Sequence, residues 1–210
     1  MNKLLEGKSY HEFDSIEEVE IWARKHYADL LDIPREDELH QMISSYTGSY
    51  YKWYNKLLRN YISANGNKSR EIESVDVKDD VIEIQKITDM LCKHSLPENI
   101  IAYRYTHKKD IVSLCSGNVL RNGIEFSDKA FFSTTLIRKM LKGFMWENHC
   151  DCLLKLYLPQ GLPGAYVSID KEWSRLDEQE FLLPPNTNFR ILKIHHFTYP
   201  LKIECKAIYN

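Results

Sequence analysis

Glu178 and Glu180 stand one residue apart at the start of the apolar run 181–183, which has the pattern of a buried strand. Side chains at positions i and i+2 of an extended chain project to the same face. The two carboxylates would therefore repel each other, and partial burial would raise the pKa of at least one of them above its reference of roughly 4.3. The alternative interpretation is a charged strand end that faces water.

Two adjacent carboxylates are suited to breaking a bond at the anomeric carbon of a sugar. One can stabilise an oxocarbenium-like cation while the other positions or deprotonates the nucleophile. Upstream, Arg104 lies in a strand-like segment and can hold phosphate or ribose oxygens with its fork of donors. Hydroxyls of the segment 132–135 can hold a carboxylate in one rotamer. Together these segments predict a site that cleaves a nucleotide sugar.

Length and composition set the limits for this chemistry. The chain has 210 residues, 43% of them hydrophobic, and a net charge of −2, which gives no broad electrostatic case for binding nucleic acid or a membrane surface. No run of about 18 apolar residues and no signal-peptide pattern is visible, so we expect a soluble chain without a membrane span. Its five cysteines have no framework spacing and fit buried thiols or a reducing compartment.

The hydrophobic period changes once along the chain. Residues from about 14 to 95 follow a helical period, beginning with a capping-box pattern at Ser15, with Pro34 expected in a first helical turn. One or two helices are expected over 39–58 and another from Asp76 to His94. From about 100 to 210 the pattern predicts strands over 100–106, 131–136, 152–158, 165–169, 180–183, 189–197 and 201–208. Helices followed by strands predict one α+β domain over 1–210.

The ordered set of Arg104, Ser133 and Glu180 resembles the arginine, serine and glutamate signature of bacterial mono-ADP-ribosyltransferase exotoxins. That family includes binary actin-modifying toxin subunits, the vegetative insecticidal toxin and Rho-modifying exoenzymes. Further matches cover 46–59, 153–161, 165–167 and 178–191, so the resemblance extends from about Tyr46 to Ile208. It implies N-terminal helices packed on a split β-sandwich, with NAD as a substrate and no metal.

The resemblance also implies residue roles. Arg104 would hold the phosphate and nicotinamide ribose region of NAD, Ser133 would orient the catalytic glutamate, and Glu180 would be that glutamate. Glu178 would position the acceptor, and a glutamate at this place accompanies arginine as the acceptor in the family. The expected partner is therefore a target protein that carries an acceptor arginine, with actin suggested by the family branch.

Two helical residues match NAD contacts of related toxins. Tyr51 would cover NAD and Arg59 would bind its phosphates. The alternatives are a core aromatic for Tyr51 and, for Arg59, a surface charge near the negative end of a helix.

The segment 170–177 corresponds to the family's substrate-recognition loop, with Trp173 and Arg175 as candidates for contacting the target protein. The family's second NAD-contacting arginine is missing here, and Arg138, Lys139 or Lys142 are the candidates to replace it. The cluster His149-Cys150-Asp151-Cys152 carries zinc-ligand chemistry, but four ligands so close along a chain entering a strand cannot converge on one metal, so we expect no metal site.

Two other functions are consistent with the same residues. An NAD glycohydrolase would use water as the acceptor, keeping Glu180 essential and leaving Glu178 less important. A non-enzymatic interaction module would retain only the fold. For the transferase, the resemblance implies a secreted or injected toxin or effector that acts in the target-cell cytoplasm and relies on a delivery partner, an injection system or expression inside that cell.

Overall fold

A computed structural model of the chain describes residues 7–62, 77–117, 119–140, 149–169 and 178–209. The helices in this part of the chain are α1 Ile16–His26, α2 Ala28–Leu31, α3 Glu38–Ser45, α4 Tyr51–Leu57, α5 Lys78–Lys93 and α6 Lys108–Leu114. Two π-helical segments, Tyr46–Tyr50 and Leu58–Ile62, precede and follow α4. The strands are β1 Ile100–Thr106, β2 Glu125–Ser127, β3 Phe132–Thr135, β4 Cys152–Leu158, β5 Ala165–Tyr166, β6 Glu180–Leu183, β7 Asn188–His195 and β8 Leu201–Ile208. The predicted α+β class is confirmed.

The helix starts follow local capping chemistry. The Ser15 hydroxyl accepts a hydrogen bond from the Glu18 backbone N–H at 3.2 Å, and the Glu18 carboxylate accepts one from the Asp14 N–H at 2.9 Å, so α1 begins where the sequence predicts. The placement of Pro34 in a first helical turn is wrong. Helix α3 begins only at Glu38, because the Asp37 carboxylate caps it by accepting from the Leu39 N–H at 2.8 Å.

The strands form one hydrogen-bonded mixed sheet in the order β2-β7-β8-β4-β1-β3-β6-β5. Its two halves are unequally joined. Strands β1 and β4 are in register over the whole length of both, from Ile100 opposite Leu158 to Thr106 opposite Cys152, whereas β1 and β3 share the single pair Tyr103 and Thr135. The sheet is therefore weakly linked between a five-strand half and a three-strand half.

The two halves fold against each other. Phe132 of β3 and Phe189 of β7 lie four strands apart in the sheet order, which corresponds to about 19 Å in a flat sheet. Their ring centroids are only 4.7 Å apart. This contact gives the predicted split sandwich, because it requires the sheet to bend at the β1 and β3 link.

Aromatic rings attach the helices to the three-strand half. Trp22 of α1 and Tyr27 lie 6.4 and 6.1 Å from the ring of Phe181 in β6, and Tyr46 packs edge to face on Phe131 at 5.1 Å. Each buried aromatic of this kind contributes roughly 1.5 to 3 kcal/mol through burial. The packing brings the segment around α4 over the strands that carry Ser133 and Glu180. Within the described ranges, no helix combines the length and the hydropathy that crossing a bilayer needs.

Candidate active site

Glu180 is the first residue of β6, and its side chain is buried, with the residue 8% exposed. Burial raises the pKa of its carboxyl group to about 7. The hydrogen bond from Ser133 acts in the opposite direction, the nearby Glu178 carboxylate raises the pKa further, and the Arg104 charge lowers it. A carboxyl group held in this way can change its ionisation near neutral pH.

The pairing of β3 with β6 brings Ser133 to Glu180. Thr135 is the direct partner of Glu180, and Ser133 lies two residues away on β3, which makes it a diagonal neighbour across the two strands. The Ser133 hydroxyl hydrogen bonds to the Glu180 side chain, while the Glu180 backbone N–H donates to the Ser168 hydroxyl at 2.7 Å. Both ends of the residue are thereby held in place.

The two threonines after Ser133 bind the backbone of the glutamate segment. Thr134 donates through its hydroxyl to the Phe181 carbonyl at 2.7 Å, and Thr135 donates to the Glu178 carbonyl. The three β3 hydroxyls therefore have different partners. The Ser133 hydroxyl binds a carboxylate, as the sequence predicts, whereas the hydroxyls of Thr134 and Thr135 bind main-chain carbonyls.

The expected extended geometry of Glu178 and Glu180 is wrong. Strand β6 begins at Glu180, and the intervening Gln179 has a φ of 47°, in the left-handed region. The side chains of Glu178 and Glu180 therefore do not follow the alternation of an extended strand, in which positions i and i+2 project to the same face. Burial raises the pKa of Glu178 as well, and its carboxylate still lies close enough to Glu180 to affect it.

Arg104 projects from β1 toward β3. Its Nη1 donates to the Ser133 carbonyl at 2.9 Å, and its guanidinium carbon lies 4.4 Å from the centroid of the Phe132 ring. Burial lowers the pKa of Arg104, and the charge of Asp128 opposes that shift. An arginine remains charged under these conditions. The site thus has a fixed cation beside the Ser133 and Glu180 pair.

Arg59, in the π-helical segment after α4, forms a bidentate ion pair with Asp128. Its Nε lies 3.0 Å from Oδ1 and its Nη2 lies 2.6 Å from Oδ2. This hydrogen bonding raises the pKa of Arg59. Sequence reasoning missed Asp128, because a single aspartate in the connection between two strands carries no pattern of its own.

Tyr46 and Asn55 were also missed. Tyr46 is 1% exposed, and burial followed by the charge of Glu180 raises its pKa, so its ring lies near the glutamate. Asn55 donates through Nδ2 to the Tyr46 hydroxyl at 3.5 Å. Within the described residues, the buried Oδ1 of Asn55 has no hydrogen-bond partner. Such an atom is the kind of acceptor that a bound polar ligand can satisfy.

The other predicted site residues are divided between the described part of the chain and the segments outside it. Tyr51 is the first residue of α4 and is 39% exposed, with the Lys52 ammonium 5.7 Å from its ring centroid. Trp173 and Arg175 fall outside the described residues. Arg138 is exposed, and its charge acts on Tyr103 and Tyr105, the two neighbours of Arg104 along β1.

Two cysteines of the cluster 149–152 lie buried at the entry to β4. Cys150 and Cys152 are buried thiols, and burial raises the pKa of both. His149 is exposed, with a φ of 51°. In the ranges that the structure covers, no group of three or more His, Cys, Asp or Glu side chains could hold a metal ion.

The profile of the ADP-ribosyltransferase exoenzyme family matches residues 19–206, which contain every part of the site described above. The chain belongs to this family. Membership accounts for the joint presence of the strand arginine, the strand serine and the paired glutamates.

Relatives of this ADP-ribosyltransferase exoenzyme chain agree with that assignment. A curated relative, the NAD(+)--arginine ADP-ribosyltransferase EFV of Enterococcus faecalis, is 26% identical over 152 residues, which are 71% of this chain and 27% of the relative. The chain therefore spans about a quarter of the length of that protein.

Solved structures share the fold. The ADP-ribosylating toxin BECa of a C. perfringens binary enterotoxin, solved with NADH, superposes with a TM-score of 0.71 at 23% identity, over 95% of this chain and 50% of BECa. C3stau2 from S. aureus, solved with NAD, gives a TM-score of 0.72 at 18% identity, over 96% of this chain and all of that chain.

Proposed function

We propose that this chain transfers ADP-ribose from NAD to an arginine side chain of a protein. The observation that carries the proposal is the Glu180 carboxyl group, which is buried, hydrogen-bonded by Ser133 and adjacent to Arg104. Its pKa of about 7 leaves it about half ionised at neutral pH and largely ionised only above it. A negative group in a water-poor site stabilises a positive charge that develops beside it.

The reaction breaks the bond between the ribose C1′ and the nicotinamide nitrogen. The bonding electron pair leaves with nicotinamide and neutralises its ring, while the ribose becomes an oxocarbenium-like cation that the Glu180 carboxylate stabilises. A guanidino nitrogen of the acceptor arginine then bonds to C1′ and loses one proton. Glu178, whose pKa burial raises, is the group proposed to position that arginine and take the proton.

Cations and hydrogen-bonding groups around the glutamates would hold the nucleotide. Arg104 is proposed to bind the phosphate and nicotinamide ribose region, and Arg59 to bind the pyrophosphate, since a guanidinium matches phosphate oxygens. Tyr51 is proposed to cover NAD from the helical side. Trp173 and Arg175 stay proposed contacts for the target protein.

The choice of arginine as acceptor has separate support. The curated relative is named an NAD(+)--arginine ADP-ribosyltransferase, and Glu178 stands two residues before Glu180. Actin is the acceptor to test first, because the motif set resembles the binary actin-modifying toxins. We place the reaction in the cytoplasm of a target cell after secretion or injection, with a delivery partner.

The decisive experiment measures nicotinamide release and the transfer of labelled ADP-ribose from NAD, with purified actin and a cell lysate as acceptors. Wild type should release nicotinamide and label protein. Glu180→Gln should lose both activities, whereas Glu178→Gln should lose the transfer and keep the release. Label that resists hydroxylamine treatment, or that lies on a residue other than arginine by mass spectrometry, would contradict an arginine acceptor.

Glu36→Gln is the matched control, because Glu36 is an exposed glutamate in the turn before α3. It should behave as wild type in both assays. Release without transfer to any protein would favour the glycohydrolase, in which water accepts the ADP-ribose. A wild-type protein with neither activity would contradict both enzymes and favour a binding module.

A further inference from the structure

Asp128 is a buried carboxylate at the meeting point of three parts of the fold. It lies between β2 and β3, with its side chain 4% exposed. Its Oδ1 accepts from the Ala130 backbone N–H at 3.0 Å, and its own carbonyl accepts from the Asn186 N–H in the turn before β7 at 2.8 Å. Main-chain contacts on both sides therefore fix the carboxylate in position.

Two arginines respond to this carboxylate. Arg59 binds it through two hydrogen bonds. For Arg104, the charge of Asp128 is the largest of the influences that raise the pKa and so favour the charged guanidinium. The charge of Arg59 in turn disfavours that of Arg104. The two cations are thus close enough to repel each other, and Asp128 acts on Arg59 through hydrogen bonds and on Arg104 through its charge.

We propose that Asp128 is a positioning residue for NAD binding: its fixed carboxylate holds the Arg59 guanidinium near Arg104, so that a helix-borne and a strand-borne cation form one phosphate-binding pair before the nucleotide arrives. The inference rests on the proposed function, since it assigns the pair to the pyrophosphate of NAD. Asp128 itself does not touch the nucleotide.

The physical reason is pre-organisation. Arg59 is a long side chain, 45% exposed, that would sample many rotamers without a partner. A bidentate bond to an immobile carboxylate removes that freedom before binding, so less entropy is lost when phosphate oxygens arrive. A guanidinium has five N–H donors, so it can bind Asp128 with two of them and still take part in phosphate binding.

The charges of Asp128, Arg59 and Arg104 support the same inference. Burial alone would raise the pKa of Asp128, but the hydrogen bonds from Arg59 and Ala130 outweigh it and lower the pKa. The carboxylate therefore stays ionised at neutral pH. Its negative charge offsets the repulsion between the two arginines that would otherwise separate them in the empty site.

The test measures NAD binding by calorimetry in the Glu180→Gln protein, which we expect to bind the nucleotide without turning it over. Adding Asp128→Asn keeps the side-chain shape and an oxygen for the Ala130 N–H but removes the charge. We expect the Kd for NAD to rise about tenfold, as for the loss of one charge-assisted interaction. With Glu180 restored, the KM for NAD in nicotinamide release should rise similarly, while kcat stays within about threefold because Asp128 is proposed to act through Arg59 and not on Glu180.

Glu125→Gln is the matched control. Glu125 forms an exposed ion pair with Arg190 through one carboxylate oxygen, between β2 and β7, and its loss changes the net charge by the same amount. The Kd for NAD should remain that of the parent. An equal rise of Kd in this control would show that overall charge is responsible and would overturn the inference.

Arg59→Lys tests the same ion pair by changing the arginine instead of the aspartate. Arg59 is about half exposed, so the position should tolerate this substitution. Lysine keeps the charge but cannot form the fork, so we expect a similar tenfold weakening, and the double variant with Asp128→Asn should be no weaker than either single variant. Additive losses, or an unchanged Kd in Arg59→Lys, overturn the inference. A Glu180→Gln protein that binds no NAD contradicts the proposed function and the inference with it, whereas NAD affinity unaffected by Asp128→Asn contradicts the inference alone.

Discussion

The Tyr166 hydroxyl donates a hydrogen bond of 2.8 Å to the Oε1 atom of Gln179, inside the protein. Tyr166 is 1% exposed and Gln179 is fully buried. Gln179 is the left-handed residue between Glu178 and Glu180. The pair therefore anchors, from β5, the point at which the main chain turns between the two carboxylates.

Removing this hydroxyl should affect both stability and acceptor use. Tyr166→Phe takes one donor from a buried amide oxygen, so we expect the free energy of unfolding to fall by roughly 1 to 3 kcal/mol. Because Gln179 sets the direction of Glu178, transfer to arginine should fall more than nicotinamide release does. Urea unfolding and the ratio of transfer to release measure the two effects.

Tyr157→Phe is the matched control for that prediction. Its hydroxyl donates to Glu204 at 2.9 Å, between β4 and β8 and outside the candidate site. It should lose stability without changing the ratio of transfer to release. A Tyr166→Phe protein with the wild-type ratio would show that the hydrogen bond serves stability only.

The pH dependence of nicotinamide release should report Glu180. Burial raises the pKa of its carboxyl group to about 7, and the ionised form is the one that stabilises the ribosyl cation. The value of kcat/KM should therefore rise with pH through an apparent pKa near 7 and level off above it.

Two variants should move that pKa in opposite directions. Ser133→Ala removes the hydrogen bond that lowers the pKa and should shift the profile to higher pH. Glu178→Gln removes the like charge that raises it and should shift the profile to lower pH. A profile whose midpoint is the same in all three proteins would assign the titration to another group.

The same carboxyl group should make stability depend on pH. Its folded pKa lies above its unfolded value, so the stability that this group contributes is complete below about pH 4.5 and is lost as pH rises through 7. Glu180→Gln carries no ionisable group and avoids this loss. Relative to wild type, its free energy of unfolding should gain up to about 3 kcal/mol between pH 4 and pH 8.

Urea titrations at several pH values measure that gain. Glu36→Gln, the exchange of an exposed glutamate, is the control measured beside it. A constant difference between Glu180→Gln and wild type across the pH range would mean that Glu180 does not titrate in this window.

Gly164 permits the close approach of β5 to β6 next to the glutamates. Its φ is 149°, and a Cβ there would lie 2.8 Å from Phe181 Cε1 and 2.9 Å from the Leu182 carbonyl oxygen. Gly164→Ala should therefore destabilise the fold by roughly 1 to 3 kcal/mol. Gly48→Ala is the control, because a Cβ added at Gly48 would meet nothing within 4 Å apart from the backbone of its own helix, and it should be neutral or slightly stabilising. Thermal unfolding of the two variants decides between steric conflict and a general cost of replacing glycine.

Local patterns predicted much of the secondary structure. The bounds of β1, β4, β6 and β8 agree with the predicted 100–106, 152–158, 180–183 and 201–208. These are apolar or alternating runs interrupted by turn residues, which is a short-range signal. Helix α6 and strand β2 were missed because seven and three residues are too few to display a period. The single domain over 1–210 stays a prediction.

The residues of the candidate site also differ in whether the sequence alone could predict them. Arg104, Ser133, Glu178 and Glu180 could be named from sequence because residue type and order carry the motif. Asp128 could not, since its partner Arg59 lies 69 residues away along the chain. An ion pair over that separation depends on how α4 packs on the strands, and no local period contains that information.

By itself, then, the sequence determined the family, the division into a helical part followed by a strand-rich part, and the residue types available for chemistry, because capping, periodicity and motif spacing act over a few residues. Tertiary structure decided the rest. Packing buries Glu180, which raises its pKa, the left-handed turn at Gln179 directs Glu178, and the fold brings Arg59 to Asp128. Burial and long-range ion pairs are properties of the assembled core, so they arise only when the helices and both halves of the sheet have come together.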